Sequence, residues 1–110
     1  MIQDRLDKIE AKLKQSNSIK ESDKIELLSL FETLKAEMDD LSETHREQAE
    51  SIVGFAELST HEATRSEKQP TLLNLSTEGL ILSVQEFEVS HPRLVGIINS
   101  FCTMLANSGI

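Results

Sequence analysis

A chain of 110 residues with 38% hydrophobic and 27% charged residues is one domain by length and can bury only a modest core. Trp and Tyr are absent and Phe occurs four times, so Leu and Ile must supply most of the apolar surface, which suits interdigitated helices better than a sandwich of strands. A net charge of −8 argues against nucleic acid and anionic membrane surfaces, since both are held by Lys and Arg.

Charge is unevenly spread. Beyond position 70 only Glu78, Glu86, Glu88 and Arg93 are charged, so the C-terminal third is expected to be mostly buried, within the monomer or against another chain. Cys102 is alone, which excludes a disulfide within the chain and fits a reducing compartment. No signal peptide or spanning segment is read, and the cytoplasm is the expected location.

Ile2, Leu6, Ile9 and Leu13 form a narrow helical stripe, predicting a short helix over 1–16 that ends at Ser16-Asn17-Ser18. Ser22 is the expected N-cap of the next helix, with Asp23 in its first turn. From Leu27 a seven-residue pattern continues through Phe31, Leu34, Met38, Leu41, His45, Gln48, Ile52 and Phe55. It fits one helix over about 22–64, roughly 60 Å long at about 1.5 Å per residue. The alternative is a break near Asp39-Asp40-Leu41-Ser42, with Thr44-x-x-Glu47 as a capping box. The sustained phase favours the continuous or slightly bent helix.

Pro70 forbids an uninterrupted helix and marks a loop over about 65–71. The stripe returns at Leu80, Val84, Phe87, His91, Leu94, Ile98, Phe101 and Leu105, widened by Leu72, Leu73, Leu75, Leu82, Val95 and Ile97. This C-terminal helical segment, about 72–108, must kink or restart near Ser90 to Pro92, with Ser90 placed to cap the restart and Gly109 to stop it.

The expected fold is therefore all-α: an antiparallel helical hairpin or bundle with long coiled-coil-like helices, oligomeric, and a dimer by preference. The interface or packing residues are Phe31, Leu34, Met38, Ile52, Phe55, Leu80, Val84, Phe87, Leu94, Ile98, Phe101 and Leu105. His45, Gln48 and His91 are polar members of the seam. Such residues can fix register and partner number, or the stripe faces water there, or the helix breaks.

The segment Phe87-Glu88-Val89-Ser90-His91-Pro92 and the ending Leu105-Ala106-Asn107-Ser108-Gly109-Ile110 resemble a bacterial family, the domain of unknown function numbered 4404. A middle stretch, about 45–75, reads as longer than the family pattern. The resemblance implies a small helical bacterial protein and no catalytic activity.

No constellation points to catalysis. Glu88-x-x-His91 has the spacing of a di-iron helix motif, but no second pair exists in the chain. Glu57 and His61 read as a solvated i,i+4 pair, and Cys102 as an inert small hydrophobe. No cofactor and no metal site are expected. The favoured function is a non-enzymatic self-assembly or adaptor protein. The alternatives are a metal-binding bundle using Glu88 and His91 across a subunit interface, and a helix-binding module for a larger protein.

Overall fold

The computed structural model describes residues 1–108, and the chain is all-helical, with no strand among the described residues. Five helices follow in order: α1 (Ile2–Gln15), α2 (Glu21–Thr44), α3 (Arg46–Thr64), α4 (Pro70–Val84) and α5 (Pro92–Ser108). A short 3₁₀ turn, Gln85–Phe87, links the last two. The proposed stop at Gly109 lies outside the described residues.

Each helix turns back along its predecessor. Lys24 Nζ donates to the Lys14 carbonyl, and Lys35 reaches Asp7 and Glu10, so α2 runs antiparallel to α1. Phe31 meets Phe101 at 5.9 Å between ring centres, while Asp40 lies near His91, so α5 runs antiparallel to α2. The most extensive contact is between α3 and α4. The core is one cluster to which all five helices contribute, and it includes Leu6, Leu13, Phe31, Leu80, Leu94 and Phe101.

The long central helix is corrected to two helices. His45 has φ −134° and ψ 62°, outside helical geometry, and separates α2 from α3. A rod near 60 Å would not fit a molecule whose longest extent is 37 Å. Two causes meet at this point. The end of α2 holds Asp39, Asp40 and Glu43 and no base, which opposes the helix dipole, whereas the break places Glu47 in the positive first turn of α3. Folding back also lets Ile52, Val53 and Ala56 enter the core, where they are fully or almost fully buried. The hydrogen bonds from His45 N–H to Leu41 O and from Ala49 N–H to His45 O (2.8 and 2.9 Å) keep the change of direction tight.

The break lies at His45 rather than near Asp39 to Ser42, and the capping box does not form. Thr44 is the last residue of α2, and its Oγ1 contacts His45 Nδ1 at 2.8 Å. Ser22 falls in the first turn of α2, whose N-cap position is Lys20 with no side-chain cap. The restart after the 3₁₀ turn begins at Pro92. Ser90 Oγ sits 3.0 Å from His91 Nδ1.

Candidate docking face

The interior seam of α3 is built from small residues. Ala49, Ile52, Ala56, Ser59 and Ala63 recur at alternating steps of three and four, and all are buried. The buried residues of α4 are Leu73, Ser76, Thr77, Leu80 and Val84. Small side chains bring two helix axes close together, which accounts for the extensive α3/α4 contact. The Ser76 and Thr77 hydroxyls donate to the Leu73 carbonyl at 2.9 and 3.1 Å, so α4 satisfies its buried hydroxyls within its own backbone. Ser59 Oγ and Thr60 Oγ1 are buried without a hydrogen-bond partner.

With the small residues inside, several large apolar ones are left outside. Phe55 and Leu58 on α3, and Leu72, Leu75 and Leu82 on α4, are between 38 and 63% exposed. Phe55 lies across Gly79, where a Cβ would collide with its ring. That contact brings Phe55 against α4. A shallow cleft beside it is lined by Gln48, Ser51, Phe55, Gly79, Leu82 and Glu86.

Burial within the monomer bears on three expectations. Phe55 is not a core residue: α3 turns the Ala49 to Ala63 row inward, and Phe55 is left on the outer side of the helix. Gln48 faces that outer side as well and is only half-buried. The charge-poor C-terminal third is not buried throughout, since Leu72, Leu75, Leu82 and Val89 are exposed. The other expected packing residues, Phe31, Leu34, Met38, Ile52, Leu80, Val84, Phe87, Leu94, Ile98, Phe101 and Leu105, lie in the core. A search for large apolar residues at helical spacing passes over an alanine row. The Ala49, Ala56, Ala63 repeat at intervals of seven was the signal that would have found it.

His45 and His91, far apart in sequence, come together at the end of the molecule where α2 stops. Both rings meet Phe87 edge to face, at 5.2 and 5.6 Å, and stand 6.3 Å from each other. His91 Nε2 lies 3.7 Å from Asp40 Oδ2. His45 therefore packs against groups of its own chain. Glu88 and His91 do not share a helix face, because residues 88–90 form a turn ahead of Pro92. No group of three or more potential metal ligands occurs among the described residues.

Glu57 and His61 turn to α1 rather than to each other. Arg5 Nη2 donates to Glu57 Oε1 at 2.6 Å, and this hydrogen bond raises the Arg5 pKa. His61 Nδ1 is 3.5 Å from Lys12 Nζ. Cys102 is buried with Sγ 3.7 Å from the Thr77 carbonyl, and burial pushes its thiol up to about 12, far from the range of a reactive thiolate. No helix among the described residues is long and apolar enough to cross a membrane.

The geometry defines a compact helical protein with one face of exposed Leu and Phe on a paired-helix hairpin. A family profile, Domain of unknown function (DUF4404), matches residues 29–110, and the chain belongs to that family. The match begins inside α2 and runs through the middle stretch 45–75, leaving α1 outside it. No curated protein and no solved structure matches the chain.

Proposed function

We propose that this chain is a non-enzymatic helical self-assembly protein whose docking surface is the outer face of the α3/α4 hairpin. The observation that carries the reading is the group of exposed large side chains, Phe55, Leu58, Leu72, Leu75 and Leu82. A large apolar side chain presents on the order of 150–250 Å². Their residual exposure therefore leaves roughly 400 Å² of apolar surface, a size associated with interaction sites. Two copies together would cover about 800 Å² of apolar area, to which a polar rim would add toward the 1,200–2,000 Å² of a stable interface.

Charge confines a second copy to this face. A chain of net charge −8 repels its own kind over most of its surface, and this face is one where two copies can approach across uncharged side chains. Mass measured by light scattering across a concentration series tests the proposal. The expected result is a dimer that Leu75→Glu converts to a monomer with unchanged helix content. A wild type that stays monomeric at every concentration overturns self-assembly and leaves the same face for an adaptor role toward another helical protein.

A further inference from the structure

The exposed row on α4 is close to a palindrome in position and in chemistry. The exposed Leu72 and Leu82 form one pair centred on position 77, and the exposed Leu75 and the half-buried Gly79 under the Phe55 ring form another. Lys68 and Glu86 flank the row on either side and share the same centre, with opposite charge. Neither forms an ion pair among the described residues: Lys68 Nζ donates only to the Ala63 carbonyl, and Glu86 borders the cleft beside Phe55. Thr77 itself is buried.

From this symmetry we infer that two copies pair antiparallel through α4, on a two-fold axis beside position 77. An isologous interface requires that residue i meet residue j while j meets i, and this row satisfies that requirement with complementary partners. Leu72 packs against Leu82 of the second copy. Leu75 packs on the Phe55 ring, which fills the space beside Gly79 of the second copy. Lys68 faces Glu86 of the second copy, twice per dimer. A parallel pairing would set Lys68 against Lys68 and Glu86 against Glu86, which costs affinity at both ends. The inference rests on the docking face proposed above and adds its partner geometry.

One residue opposes the arrangement. Glu78 is exposed on the edge of α4 away from α3, at a position that an antiparallel pair brings near Glu78 of the second copy. At a solvent-screened rim the repulsion is small. Removing it should tighten the dimer about two-fold in Glu78→Gln, as expected for any pairing of two copies through α4.

The experiment uses the full chain with Cys102→Ser, so that introduced thiols are the only ones. Leu72→Cys with Leu82→Cys should oxidise to a covalent dimer in high yield, while either substitution alone should not, because these positions meet only each other. Thiols ten residues apart on one helix lie about 15 Å apart and cannot bridge within a copy. In a second arm, Lys68→Glu and Glu86→Lys should each weaken dimerisation about three- to ten-fold, and the double exchange should restore it. Efficient cross-linking by either single cysteine shows a parallel pair and overturns the inference while leaving the docking face intact. So does a dimer that cross-links in none of the three variants, or one indifferent to charge exchange. A chain monomeric by light scattering overturns both the inference and the proposed function.

Discussion

The α2/α5 pair and the α3/α4 pair use opposite means to hold two helices together. Between α2 and α5 the contact is large and aromatic: Phe31 and Phe101 are wholly buried and meet at 5.9 Å, with Leu34, Leu94 and Ile98 around them. The buried sides of α3 and α4 mix Ala, Ser and Thr with Ile52, Leu73 and Leu80, and several large residues of that hairpin stand outside. Where burial comes from big side chains, the outer surface is free to be polar. Where it comes from close backbone approach, apolar side chains remain on the surface. The difference separates residues that hold the monomer from residues available for assembly, a division that hydrophobicity by itself does not make.

Substitution in the aromatic pair should give the largest effect. Phe101→Ala removes a ring from a fully enclosed site and should cost about 3–5 kcal/mol, enough to unfold much of a domain worth about 5–15 kcal/mol in all; urea denaturation followed by circular dichroism measures it. The small-residue seam should be sensitive in the other direction. Ala56→Leu adds volume where two helices are close and should cost about 1–3 kcal/mol by overpacking, visible as a drop in the denaturation midpoint. If Ala56→Leu proved neutral, the seam would not be close-packed and the contrast between the two pairs would fail.

The outer residues should behave differently again. Phe55→Ala should change monomer stability by only about 0.5–1 kcal/mol, because the ring is more than a third exposed, yet weaken self-association in light scattering. Gly79→Ala gains helix propensity of up to about 1 kcal/mol but forces the Phe55 ring aside, so it should leave the melting temperature level or higher while loosening the dimer. A Phe55→Ala protein as unstable as Phe101→Ala would place Phe55 in the core and remove the basis of the docking face.

The smallest effect concerns the charges that fasten α1. Lys35 Nζ lies 3.1 Å from Asp7 and 3.2 Å from Glu10, and the hydrogen bond to Asp7 foremost raises its pKa above the ordinary 10.5. A raised lysine adds stability that is fully present below 10.5 and is lost as pH climbs through the higher folded value. Lys35→Met should therefore cost about 0.5 kcal/mol at neutral pH, given the screening of a partly exposed pair. The gap between the two proteins should close as pH rises past the raised folded value of Lys35 in melts taken across alkaline buffers. A gap independent of pH would assign the loss to packing of the Lys35 stem instead.

Helical class, the interruption before Pro70 and the kink ahead of Pro92 were legible because they follow from period, composition and the missing N–H of proline. The aromatic half of the core was legible for the same reason: Phe31, Leu34, Met38, Phe87, Ile98 and Phe101 keep a helical phase in which every member is large. The α3 face was not legible. Residues 48, 52 and 55 continue the phase of α2, but the change of direction at His45 resets which side of the chain meets the core. The candidate face inherits that limit, since Phe55 and Leu72 read as packing residues when all large apolar residues are sought in one core.

Local chemistry along the chain thus determined that this protein is helical, where its prolines interrupt it and that its surface is acidic, because each depends on neighbours a few residues apart. Only the tertiary structure decided that the chain reverses at His45, that alanines line the buried side of α3, and that Phe55, Leu72, Leu75 and Leu82 face outward. Those outcomes depend on which helices compete for a core too small to bury every large side chain, and that competition is settled among all five helices together.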